Sequence, residues 1–131
     1  MATRSTIAIE NADGTVTGIY CHWDGYLAYN GKILQENYTT PEQVERLLDF
    51  GDISSLDDDV EGTVFYKRDR GESGVDARVY DSVADYQKNA QFEEYNYIMR
   101  GGMWFVACDF TEEDFVPLET AFEMQEEMND E

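Results

Sequence analysis

The chain has 131 residues, 42% hydrophobic and 14% aromatic, which suits one domain with a sizeable core and argues against wholesale disorder. Twenty-nine acids face nine Lys and Arg, a net charge of −20, where solubility asks only ~2–8 of a small domain. That field repels nucleic acid and anionic membranes, since contact with phosphate needs Lys and Arg, and no apolar run approaches the length of a membrane span.

In chain order, STIAIEN alternates as a strand, ADGT is a turn, and VTGIYCHW is the returning strand of a hairpin. YNGKILQENY is a weaker helix. TTPEQVERLLDFG is the clearest one: Thr40 is the N-cap, Pro41 sits at N1 and Gln43 completes a capping box. Val44, Leu47 and Leu48 form its buried stripe, and Gly51 ends it. DISSLDDDVEG is expected to be a polar connection, TVFYK a short strand, RDRGESG a loop and VDARVYD another strand. SVADYQKNA is a short helix capped by Asp81 or Ser82. FEEYNYIMRGGMWFVACDF holds two aromatic strands around Arg100-Gly101-Gly102, a hairpin signal.

The last stretch, TEEDFVPLETAFEMQEEMNDE, opens with Thr111 as a cap, and Pro117 either interrupts the helix or starts the true one near Leu118. Leu118, Ala121, Phe122, Gln125 and Met128 share one face, with Met124 at its edge; Glu119, Glu123, Glu126 and Glu127 share the other. Five or six strands, three or four helices and hairpin pairing predict a single α+β domain, an antiparallel sheet with flanking helices and an acidic C-terminal helical segment over 111–131.

YCHWD holds the only histidine and one of two cysteines. On a strand, Ile19, Cys21 and Trp23 face one way and Tyr20, His22 and Asp24 the other. Cys21 and His22 therefore do not pair as thiolate and base. With no second histidine and no nucleophile elbow, catalysis here is the lesser reading, and a strand-end histidine near the Asp24-Gly25 turn the greater. Zinc wants four Cys or His ligands and only three exist. Two cysteines are too few for a disulfide scaffold; both sit among apolar residues, as buried free thiols do.

DDDVEG matches the opening of a calcium loop, with Asp57, Asp59, Glu61 and Gly62 at positions 1, 3, 5 and 6, but position 12 is Arg68 where a bidentate Glu belongs. KRDRGESG lacks Walker spacing and reads as a solvated loop pairing with nearby acids. No cofactor and no metal are expected.

The charge is uneven. Residues 1–50 carry net −4, residues 51–110 net −7, and residues 111–131 nine acids and no base. Self-repulsion on that scale costs stability. Either the setting tolerates it, as in a halophile, or the charge has a task; ordinary hydrophobic content and plentiful aromatics speak against a halophile. Carboxylates at i and i+4 lie roughly 5–6 Å apart at Cβ, against a DNA charge every ~3.4 Å of axis per strand. Glu119, Glu123 and Glu127 make such a row, with Glu126 and Asp130 beside it, followed in rank by Asp57, Asp58, Asp59 and Glu61.

RSTIAIENADGTVTGIYCHWDGYLAYNGKIL and YTTPEQVERLLDFGDISSL, over about residues 4–56, resemble a family of small tailed-bacteriophage proteins, with IYCHWDGY as the distinctive run. A weaker echo lies in RDRGE and EEYNYIMRGGMWFV. The resemblance implies no catalytic residues. It implies expression in bacterial cytoplasm, in keeping with an N-terminus that lacks the apolar core of a secretion signal.

The expectation is a non-enzymatic protein that mimics DNA and inhibits a basic nucleic-acid-binding protein of the host, such as a restriction, CRISPR or nuclease component. The rivals are a small enzyme or ligand-binding module on the Tyr20, His22 and Asp24 face, and an acidic subunit of a phage assembly. A homodimer extending the charged surface is compatible with the sequence, which carries no interface signal for it.

Overall fold

Ser5–Glu10 (β1) and Val16–Cys21 (β2) form the expected antiparallel hairpin in the computed structural model, which describes residues 3–90 and 93–129. A second hairpin, Tyr95–Arg100 (β6) and Met103–Cys108 (β7), closes through Gly101 and Gly102. Both glycines have left-handed φ, 58° and 81°, as a type I′ turn requires. The hairpins join by parallel pairing of β1 with β6, Ser5 opposite Tyr95 through Ile9 opposite Met99. Three short strands extend the sheet: Ile53–Ser55 (β3), Val64–Phe65 (β4) and Val116–Pro117 (β8). The order is β4-β3-β2-β1-β6-β7-β8, and Arg78–Tyr80 (β5) pairs with the first half of β2. The fold is α+β, with a mixed, mostly antiparallel sheet.

Strand alternation divides the core. Ile7, Ile9, Ile19, Cys21, Tyr97, Met99, Trp104 and Val106 lie on one face with Lys32–Asn37 (α1), Pro41–Leu48 (α2) and Leu118–Asn129 (α5). Ala8, Val16 and Ile98 form a smaller cluster on the other, with Tyr86 of Val83–Asn89 (α4). Helix α2 follows its sequence closely. Thr40 Oγ1 accepts the Gln43 N–H (3.3 Å), Gln43 Oε1 accepts the Thr40 N–H (3.1 Å), and Val44, Leu47 and Leu48 are buried, each contributing ~1.5–3 kcal/mol. Gly51 follows at φ 80°, where a Cβ would lie 2.4 Å from the Val75 carbonyl. Ser82 caps α4 by accepting the Asp85 N–H at 3.0 Å.

Several expectations are corrected. DISSLDDDVEG is not wholly an irregular connection: Ile53–Ser55 is a strand, because Ile53 pairs in parallel with Cys21. TVFYK is extended only at Val64 and Phe65; Tyr66–Arg70 is a short helix (α3), begun where Asp69 Oδ2 accepts the Phe65 N–H (2.8 Å). Thr111 does not cap the C-terminal helix. It closes a 3₁₀ turn, Asp109–Thr111, accepting the Cys108 N–H (3.0 Å) and donating to the Asp114 carbonyl (2.8 Å). Helix α5 starts at Leu118, after Pro117. Its apolar face is covered only at the start: Leu118 and Ala121 are buried, whereas Met128 is 58% exposed.

Candidate functional site

Glu119, Glu123, Glu126 and Glu127 are all exposed on α5, and no ion pair or side-chain hydrogen bond engages them among the described residues. Asp130 lies outside the described residues. Among the described residues the five ion pairs lie elsewhere, at Arg46–Glu61, Lys67–Asp76, Arg68–Asp69, Arg78–Asp52 and Arg100–Glu10. Glu61 is thereby a spoken-for carboxylate. Its hydrogen bond from Arg46 (2.7 Å) holds its pKa below the ordinary value.

The Asp57–Glu61 stretch is a locked loop. Asp57 Oδ1 accepts the Asp58 N–H (2.8 Å) and Asp59 Oδ1 the Gly62 N–H (2.7 Å), so both carboxylates turn onto the loop's own backbone. This is anion self-capping, and among the described residues no three Asp, Glu, His or Cys converge as a metal set. Arg68 clamps the loop from below. Its Nη1 donates to the Val60 carbonyl (3.0 Å) and its Nη2 to that of Thr63 (2.7 Å), while its guanidinium lies 4.7 Å from the Phe65 ring centroid. The basic cluster is thus consumed internally: Lys67 pairs with Asp76, Arg68 with Asp69, and Arg70 donates to Ser54 Oγ (3.3 Å).

Helix α1 flanks the two acidic regions. Asp58 shares a groove of about 470 Å³ with Glu36 and Tyr29. One residue earlier on α1, Gln35 shares a groove of about 580 Å³ with Glu119 and Glu123. Tyr38, just past α1, donates its hydroxyl to the Asp57 carbonyl (3.2 Å) and accepts the Trp104 indole N–H at its own carbonyl (2.8 Å). Asp58 and the Glu119–Glu123 pair thus line two separate grooves, each flanked by α1. Nothing in the spacing of the sequence shows this, and Glu36 was missed.

The Tyr20, His22 and Asp24 face is only partly realised. The Tyr20 hydroxyl and His22 Nδ1 are hydrogen-bonded at 2.7 Å. Asp24 leaves them, because β2 ends at Cys21 and Asp24 takes a left-handed φ of 58°. Trp23 does not follow Ile19 and Cys21 inward; it is 43% exposed, its ring edge-on to His22 at 4.8 Å. Tyr20 also lines a hollow of about 330 Å³ between the sheet and α4, with Arg4, Arg78, Tyr80 and Glu93. There Asp52, buried, accepts both Arg78 Nη atoms (3.1 and 3.0 Å) and the Tyr20 N–H (2.9 Å). Burial raises the Glu93 pKa. Cys21 is fully buried, and burial pushes its thiol up to about 11. A thiol held protonated is not a nucleophile at neutral pH.

Comparison with known families, curated proteins and solved structures gives no match to this chain. Among the described residues no helix is long and apolar enough to cross a membrane.

Proposed function

We propose that the protein acts by binding, and that its acidic helical face occupies the basic nucleic-acid-binding surface of a host protein in competition with DNA or RNA. The observation that carries this reading is the exposed row Glu119, Glu123, Glu126 and Glu127 on α5, which among the described residues has no cation of its own. Such a surface costs stability through self-repulsion, and a basic partner would relieve it. Encounter would be steered by charge and weakened by salt. The resemblance of residues 4–56 to phage proteins supplies the setting, a bacterial cytoplasm in which restriction, CRISPR and nuclease components hold DNA in basic channels.

The test is capture from bacterial lysate with the purified chain as bait, eluted by a salt gradient and, separately, by DNA. The expected result is a basic nucleic-acid-binding protein released by both. A variant with Glu119, Glu123, Glu126 and Glu127 changed to Lys should capture nothing of the kind while melting no lower than the parent. Retained capture by that variant refutes the α5 row as the interface.

A second reading rests on the hollow beside the Tyr20–His22 hydrogen bond, which has the size of a small-ligand site. His22→Ala separates the two, since partner capture should survive it and a ligand or enzymatic function at that hollow should not.

A further inference from the structure

Among the described residues, six large apolar side chains are notably exposed, and Trp23 (43%), Tyr26 (38%) and Tyr29 (37%) come from a single turn. The turn itself is firmly anchored. Leu27 and Asn30 within it are fully buried, and the Gly25 carbonyl accepts the Tyr97 hydroxyl at 2.6 Å from the sheet. The backbone winds as a π-helix over Leu27–Gly31, so Tyr26 and Tyr29 come together, ring centroids 6.3 Å apart, while Leu27 points into the core. Exposed Trp and Tyr on a fixed backbone lose little entropy on binding and are the residue types that dominate interface energetics.

The chemistry around these rings selects the partner group. Tyr29 forms one wall of the groove that holds Glu36 and Asp58, with Lys32 as the only base there. The Tyr29 hydroxyl is raised in pKa chiefly by burial and then by the negative charges of Asp24, Asp57 and Asp58. A groove lined by an aromatic ring and two carboxylates suits a cation with a flat face and directed donors. Guanidinium stacks on a ring and forks onto carboxylates, whereas ammonium is a more strongly hydrated point charge.

We propose that this groove seats an arginine side chain of the basic partner, its guanidinium on the Tyr29 ring and its donors toward Glu36 and Asp58. The proposal deepens the binding reading above and rests on it.

The experiment is calorimetric titration of the full chain with hexa-arginine and with hexalysine at physiological salt. It compares the parent, Tyr29→Leu, Asp58→Asn, and the variant with the four α5 glutamates changed to Gln. The parent should bind hexa-arginine more tightly than hexalysine. Tyr29→Leu should weaken hexa-arginine by roughly two- to tenfold and remove the preference, with an unchanged melting curve; Asp58→Asn should weaken both peptides. Equal affinity of the parent for both peptides overturns the ring seat. Unchanged affinity in Tyr29→Leu and Asp58→Asn, together with loss in the four-glutamine variant, overturns the groove and leaves the acidic-surface reading standing. No binding of hexa-arginine by the parent overturns both. A self-association abolished by Tyr29→Leu overturns it in favour of a second copy of the chain.

Discussion

The Trp104 indole N–H donates to the Tyr38 carbonyl across 2.8 Å, fastening β7 to the turn between α1 and α2. Trp104 is 6% exposed and comes from the strand beside α5, while Tyr38 reaches on to Asp57. This bond therefore ties the strand beside α5 to the residue that holds the Asp57 carbonyl. Trp104→Phe removes the donor and leaves a carbonyl short of a partner, at a cost of about 1–3 kcal/mol. Thermal unfolding should move down by several degrees. Capture of the basic partner should weaken as well.

Arg68 holds the acidic loop by bonds to the Val60 and Thr63 carbonyls and by its place over Phe65. Arg68→Ala should destabilise by about 1–3 kcal/mol. Amide exchange should quicken first at Gly62 and Thr63, whose N–H groups bond Asp59 within the loop. Unaltered exchange there would mean the loop holds itself. Arg68→Lys should restore little, because a single ammonium does not fork onto two carbonyls and cover a ring.

Charge repulsion should be visible as a salt effect. Raising ionic strength from about 0.01 M to about 1 M shortens the screening length from ~30 Å to ~3 Å. With net charge −20 and five ion pairs among the described residues, repulsion outweighs attraction, so the melting temperature should rise with salt. The four-glutamine α5 variant should start higher and rise less. A melting temperature that falls with salt would show that the ion pairs outweigh the repulsion.

Both thiols should resist reagent in the native state and react on unfolding, since Cys21 and Cys108 are buried. The Cys21 thiol is raised by burial from 9.0 to about 11, so the fold binds its proton more tightly than the unfolded chain does. Its contribution, roughly 2–3 kcal/mol, is fully present below about pH 9 and is lost as pH rises toward 11. Tyr86 and Tyr97, also raised by burial, add loss in the same direction above pH 10. Urea midpoints measured from pH 8 to pH 11 should fall steadily, and Cys21→Ser should flatten the first part of that fall.

Elements set by local chemistry were legible in the sequence. Thr40, Pro41 and Gln43 announce α2, Gly101-Gly102 announces the β6–β7 turn, and alternation announces the β1–β2 hairpin. Elements set by distant partners were not. Ile53–Ser55 is a strand only because β2 has a free edge at Cys21, and two-residue β4 and β8 carry no periodicity at all. The α5 row was readable because i and i+4 spacing is a property of one helix. The place of α1 beside both Asp58 and the α5 row was not, since it is set by tertiary packing. The break between His22 and Asp24 came from a left-handed residue that alternation alone does not foresee.

The parallel pairing of β1 with β6 joins residues about ninety positions apart at the centre of the sheet. A ribosome releasing this chain frees β1 and β2 long before β6 exists. Until then one edge of β1 offers unpaired N–H and C=O groups flanked by Ile7 and Ile9. Such an edge pairs readily with any other strand it meets. The fold is therefore closed late, by the C-terminal hairpin, and loop closure over that distance makes it slow. A chain cut short before Tyr95 keeps the charge of its N-terminal part but exposes the strand that the missing hairpin should have sealed.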